Sequence, residues 1–172
     1  LDDRAGIAVL LEVLRNIDFD PALELYFVAA VQEEVGLRGA KTAAYSIAPD
    51  AAIAIDVCHG VTPDNSENAF EIGSGTVISI GPNITPAFQK QLVDTAQRHN
   101  IRYALDVDGG DTGTDAWAIQ VAREGVPTTL LSIPLKYMHT SVETIDIADA
   151  EATAALILEF RDFGREEEGF CC

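Results

Sequence analysis

A nearly unbroken apolar run, Leu23 to Val31, stops abruptly on the polar triplet Gln32-Glu33-Glu34, and this feature constrains the fold most. A run of that length, with Leu, Tyr, Phe and Val, is the pattern of a strand buried on both faces. A strand of that kind needs a sheet covered by helices on both sides. The same grammar recurs along the chain. Ala51 to Val57 reads as a second buried strand ending on polar residues, followed by strands at Thr76 to Ile80, Arg102 to Val107 and Val126 to Ile133. Between them lie helical patterns over Ala5 to Asn16 (apolar at Ile7, Leu10, Leu11 and Leu14), Ala40 to Ile47, Pro86 to Asn100, Thr114 to Glu124 and Asp149 to Phe163. Strands alternating with helices predict an α/β fold with three αβα layers around a mixed, largely parallel sheet.

The 172 residues suffice for one domain with a full-sized core. That domain is expected over residues 1–163, and the acidic stretch from Gly164 to Cys172 lacks apolar periodicity and reads as a frayed tail. The chain opens on Leu1 rather than Met, directly on a polar motif, so the reading expects further sequence upstream. A polar stretch rich in Gly, Pro, Asn and Ser between Gly60 and Ser74 predicts a long loop near the candidate site. A net charge of −17, from 28 acidic and 11 basic side chains, repels phosphate backbones and anionic lipid. Nucleic acid and membrane are therefore excluded as expected partners, and no apolar run reaches the roughly 18–20 residues that span a bilayer. Cys58, Cys171 and Cys172 form no spaced disulfide framework and no C-x-x-C pair, so a reducing, cytoplasmic setting is expected and thiolate-bound zinc is not.

In open α/β sheets, ligands gather beyond the carboxyl ends of the strands. That rule singles out Glu33, Glu34, Asp56 and, after the last apolar strand, His139. Two adjacent carboxylates are costly unless a proton or cation separates them, and imidazole with carboxylates is a donor set for zinc, cobalt or manganese. Each residue also has a plain structural alternative. Glu33-Glu34 reads equally as a polar loop, Asp56 as a turn cap, Asp2 as a helix N-cap, and His139 as a backbone-bonded histidine. His59 and His99 stay in that structural class.

Three stretches carry a family resemblance: Leu-Asp-Asp-Arg-Ala-Gly at the start, Phe-Val-Ala-Ala-Val-Gln-Glu-Glu-Val-Gly-Leu-Arg-Gly-Ala from Phe27, and Ala-Ile-Asp-Val from Ala54. Gly-Thr-Asp-Ala (113–116), Glu-Gly-Val-Pro-Thr (124–128) and Lys-Tyr-Met-His-Thr (136–140) add to it. From Leu1 to Phe163 the chain resembles the glutamyl or tetrahedral aminopeptidases, dinuclear metallopeptidases of clan MH, family forty-two. The resemblance implies a metallo-exopeptidase fold of the phosphorylase/hydrolase-like type and removal of N-terminal residues from peptide substrates. It further implies a homo-oligomer, by analogy a dodecamer. Carried over by position, Glu33 would be the general base activating a metal-bridging water. Asp2 would bridge two divalent metal ions, zinc or cobalt, through a segment whose Asp2–Asp3 bond resembles a cis peptide. Glu34 and His139 would complete one metal and Asp56 would belong to the other. Asp115 would line the site without a ligand role. The family's further histidine, and the small β-rich domain inserted before the Asp-Asp motif, have no counterpart here, which leaves the second metal one ligand short. Lys136 stands where many relatives carry Arg.

Two other readings compete. A glucanase-type glycoside hydrolase would use Glu33 or Glu34 with a distant acid, although adjacent residues leaving one strand face each other poorly across a sugar, and His139 would have no task. An inactive truncated domain acting in assembly would bind metal weakly.

Overall fold

The computed structural model describes residues 1–18 and 20–160. The end of the last expected helix and the tail at 164–172 lie outside them. Helix α1 (Arg4–Asn16) begins where Asp3 accepts a hydrogen bond from the Gly6 N–H at 2.8 Å, satisfying one of the free amides of its first turn. Its inner stripe, Ala5, Val9 and Val13, recurs every fourth residue and is buried, whereas Ile7, Leu11 and Leu14 of the expected apolar face are exposed.

Helix α2 (Arg38–Ile47) leads into strand β1 (Ala52–His59). Strand β2 (Thr76–Ile80) is followed by α3 (Pro86–Arg98), whose N-terminal proline has no N–H to leave unpaired, and by β3 (Tyr103–Val107). Short helix α4 (Asp115–Ile119) precedes β4 (Thr128–Lys136); β5 (Thr144–Ile145) and α5 (Ile147–Glu159) complete the described chain.

The sheet order is β1-β4-β2-β3, with β5 paired to β4. β1 runs parallel to β4 and β2 parallel to β3, while β2 and β5 each lie antiparallel to β4, so the sheet is mixed as expected. β4 is central and buried along almost its whole length. Its Pro134 falls between the residues paired with β2 (Leu131, Ser132) and those paired with β5 (Leu135, Lys136), a place where a strand tolerates a missing N–H.

Alternate residues of the strands feed two faces. Val57, Ile133 and Leu135 pack with Val9, Val13 and Ala154, and Ile78 and Leu131 pack with Phe88, Leu92 and Leu156, placing α1, α3 and α5 on one side. Ala54 and Leu130 pack with Ile84 and Ala116, while Ala44 packs with Ala122 and Val126, placing α2 and α4 on the other. Three layers result.

One strand expectation is corrected. Leu23 to Val31 forms no strand among the described residues, and Leu23, Tyr26, Val28 and Val31 are exposed. Only Phe27 of the run packs against the core cluster beneath α1. An apolar run records a capacity for burial; a strand also requires a neighbour to accept its backbone hydrogen bonds. The expected helix over Thr114 to Glu124 is also shorter, ending at Ile119, and Arg123 and Gly125 beyond it take left-handed backbone angles.

Candidate metal centre

Each candidate side chain reaches the site from a different element. Asp2 precedes α1 and is joined to Asp3 by a cis peptide bond. The two acids divide their work: Asp3 caps α1, and Asp2 turns to His139, whose Nε2 lies 3.2 Å from Asp2 Oδ2. Glu34 Oε2 lies 3.4 Å from the same Nε2. Ligand atoms of Asp2, Glu34 and His139 all fall within 4.8 Å of one another.

The turn carrying Glu33 and Glu34 is held by its backbone. Gly36 and Leu37 donate N–H bonds to the Glu33 carbonyl, and Arg38 donates to the Gln32 carbonyl. Several non-glycine residues around the site have left-handed backbones: Gln32, Leu37, Tyr137 and His139, with φ between 56° and 61°. Each such position costs on the order of 1 kcal/mol, so the fold must over-determine it.

Asp56 sits near the carboxyl end of β1, buried, with its Oδ1 accepting from the N–H of Val57 at 2.8 Å. It does not join the three-residue cluster, although Asp3, Glu33 and Asp2 are near enough for their charges to act on it. Asp115 opens α4 with one carboxylate oxygen buried and unpartnered. His59 is exposed at the end of β1, and His99 pairs with Glu159 at 3.3 Å, both away from the cluster.

Asp2, Asp3, Glu33 and Asp56 are shifted in one direction. Burial first, then neighbouring acids, raises the carboxyl of Asp2. Burial raises Asp3 to about 6 and Asp56 to about 8. Glu33 reaches about 7, from burial first and then the charge of Glu34. Acids held this close in a partly desolvated site favour either protonation or a bound cation. The donor chemistry of the cluster, two carboxylates and an imidazole, fits a borderline divalent cation such as zinc or cobalt.

Further residues around the cluster carried no sequence signal strong enough to single them out. Glu33 and Glu34 border an open cleft of about 400 Å³ whose other walls include Leu37, Lys41, Asp111 and Trp117. Glu143 accepts the His139 N–H at 2.9 Å and the Asp2 N–H at 3.1 Å, and it also takes the amino group of Leu1. Its spacing from His139, four residues, is the only trace it leaves in the sequence.

Comparison with known proteins shows the family and the fold. The family model for M42 glutamyl aminopeptidases matches residues 1–156. A lysyl aminopeptidase of Pyrococcus furiosus is 40% identical over 157 residues, covering 91% of this chain and 45% of that protein. An aminopeptidase of the archaeon Desulfurococcus kamchatkensis has the same fold, with a TM-score of 0.83 and 39% identity over 92% of this chain and 46% of that one. The TET1 peptidase of Pyrococcus horikoshii, described as assembling into a tetrahedron or a large octahedral shell, superposes with a TM-score of 0.73 and 32% identity, covering 92% and 47% of the two chains. The chain thus spans about half the length of the relatives it matches.

Proposed function

We propose, since the chain belongs to the M42 glutamyl aminopeptidase family, that the protein is a metal-dependent aminopeptidase and that residues 1–163 carry most of its active site. The observation that carries this reading is the convergence of Asp2, Glu34 and His139 beside Glu33 and Asp56, whose carboxyls, like that of Asp2, are raised. Asp2, Glu34 and His139 would hold one divalent cation, zinc or cobalt. Asp56, together with Asp2, would serve a second that needs a further ligand from outside this chain.

Bound there, the cations supply Lewis acidity toward a carbonyl and an acidified water. The chain's own residues do the rest. Glu33, raised to about 7, can accept a proton on its carboxylate near neutral pH and return it to the leaving amine nitrogen. The acids around Asp2 and Asp56 favour a cationic α-amino group, which restricts cleavage to the first residue of a peptide. The cleft beside Glu33, walled by Leu37 and Trp117, gives room for that residue's side chain. A glycosidase built on paired carboxylates would leave the contacts of His139 with Asp2 and Glu34 without a task.

Homo-oligomeric assembly, by analogy with the shells described for the Pyrococcus horikoshii peptidase, belongs to the same proposal, as does a cytoplasmic setting. Among the described residues no helix is long and apolar enough to cross a membrane. The test is Glu33→Gln in the metal-loaded protein with aminoacyl chromogenic substrates. Hydrolysis should fall on the order of 10²–10⁴-fold with metal content unchanged. Loss of metal with activity retained would reverse the roles of Glu33 and Glu34.

A further inference from the structure

Glu143 belongs to none of the motifs above, yet it is the most heavily bonded carboxylate near the cluster. Its side chain is 10% exposed. Oε1 accepts the backbone N–H of His139 at 2.9 Å. Oε2 accepts the backbone N–H of Asp2 at 3.1 Å and also meets the amino group of Leu1. The two amides it joins belong to two of the three residues in the cation-binding cluster. Those residues come from far apart in sequence, Asp2 ahead of α1 and His139 in the loop between β4 and β5.

His139 needs such a tether. Its backbone is left-handed (φ 61°), as is that of Tyr137 (φ 60°), and the loop carrying them is largely exposed. A free loop would relax from that conformation. The His139–Glu143 bond spans four residues and shapes the loop locally. The Asp2–Glu143 bond ties that shaped loop to the start of α1. Glu143 itself stays outside the group of converging ligand atoms, and both its oxygens are already engaged by N–H donors.

We propose that Glu143 is a positioning residue for the cation site: it binds no cation, and fixes the backbones of Asp2 and His139 so that Oδ2 and Nε2 converge. The proposal rests on the reading that Asp2, Glu34 and His139 hold a cation.

The test measures zinc affinity by competition with a chromophoric chelator, and the visible spectrum of the cobalt-loaded protein, for wild type, Glu143→Gln and Glu143→Ala. Thermal unfolding of the cation-free forms is followed in parallel. Removing a group that orients metal ligands typically weakens binding on the order of 10–100-fold, and that loss is expected for alanine. Glutamine keeps one acceptor oxygen, so it should recover part of the affinity and a cobalt spectrum close to wild type. Zinc affinity of Glu143→Ala within about twofold of wild type would overturn the proposal. So would a folded Glu143→Gln whose affinity changes only in step with its cation-free stability. If the alanine variant fails to fold, the glutamine variant alone decides. A wild-type protein that takes up neither zinc nor cobalt would instead overturn the cation reading on which the proposal stands.

Discussion

His139 Nε2 stands 3.2 Å from Asp2 Oδ2, although the two residues lie near opposite ends of the described chain. The parallel pairing of β1 with β4 brings them together. β4 delivers its following loop beside the carboxyl end of β1, and α1 packs against β1 and α5, bringing its own N-terminus to the same end. The cluster is therefore a product of tertiary structure, and single-residue changes in it should read out as changes in cation binding.

Glu34→Gln and His139→Ala should each weaken zinc or cobalt binding by more than the roughly 10–100-fold typical of losing a supporting partner, because each removes a donor atom. Asp56→Asn should behave differently. Asp56 lies outside the cluster, so the variant should leave the cation held by Asp2, Glu34 and His139 at near wild-type affinity. Competition titrations with metal counting by atomic emission distinguish the two patterns. Equal losses in all three variants would count against separate sites.

The acids also set a pH dependence. Asp3, Glu33 and Asp56 have folded-state values of about 6, 7 and 8 against ordinary values of 3.8, 4.5 and 3.8. Each is raised, so its contribution to stability is complete below the ordinary value and is lost as pH climbs through the folded value. In chelator the melting temperature should therefore fall between pH 5 and pH 8.5. Added zinc or cobalt should restore most of the loss at the alkaline end. A melting temperature that rises with pH in chelator would contradict the electrostatics derived for the site.

Legibility in the sequence followed burial. β1, β2 and β4 are written as apolar runs because their side chains meet helices or neighbouring strands in the core, whereas in α1 the Ile7, Leu11 and Leu14 spacing that marks a helix is exposed and the smaller Ala5, Val9 and Val13 form the buried face. The Glu33-Glu34 pair and the Asp2-Asp3 pair stood out through a chemical cost, like charges placed side by side. Leu23 to Val31 misled for the same reason that β4 was easy: composition reports what could be buried and says nothing of hydrogen-bond partners. Glu143 stayed hidden because its task is to accept two backbone amides, and backbone amides leave no mark in a sequence. β5, two residues long, has no period to detect.

Asp149 pins the long loop before β2 to α5. It is fully buried, and its two oxygens accept the N–H groups of Gly73 and Gly75, each at 2.7 Å. Alanine there would strand two donors beside a void, at a cost of about 3 kcal/mol. Asparagine, with one acceptor oxygen retained, should cost less. Urea denaturation of both variants checks the order. A neutral Asp149→Ala would show that the loop finds other partners.

α2 holds the turn that carries Glu33 and Glu34. Gly39, in the first turn of α2, donates its N–H to the Val31 carbonyl at 2.8 Å, and a Cβ at this position would collide with the backbone N and O of Val31. Val31 leads directly into Gln32-Glu33-Glu34, where the Gln32 carbonyl accepts from Arg38 and the Glu33 carbonyl from Leu37 at the start of α2. Alanine must therefore push the helix off Val31, and the turn bearing Glu33 and Glu34 moves with it. Overpacking of this kind typically costs about 1–3 kcal/mol. The local displacement should also lower zinc affinity while the sheet, built from β1 to β5, stays folded. Gly109→Ala is the matched control, since a Cβ there meets nothing within 4 Å. If both alanines leave zinc affinity and stability at wild-type values, the close approach of α2 to Val31 does not set the position of the Glu33–Glu34 turn.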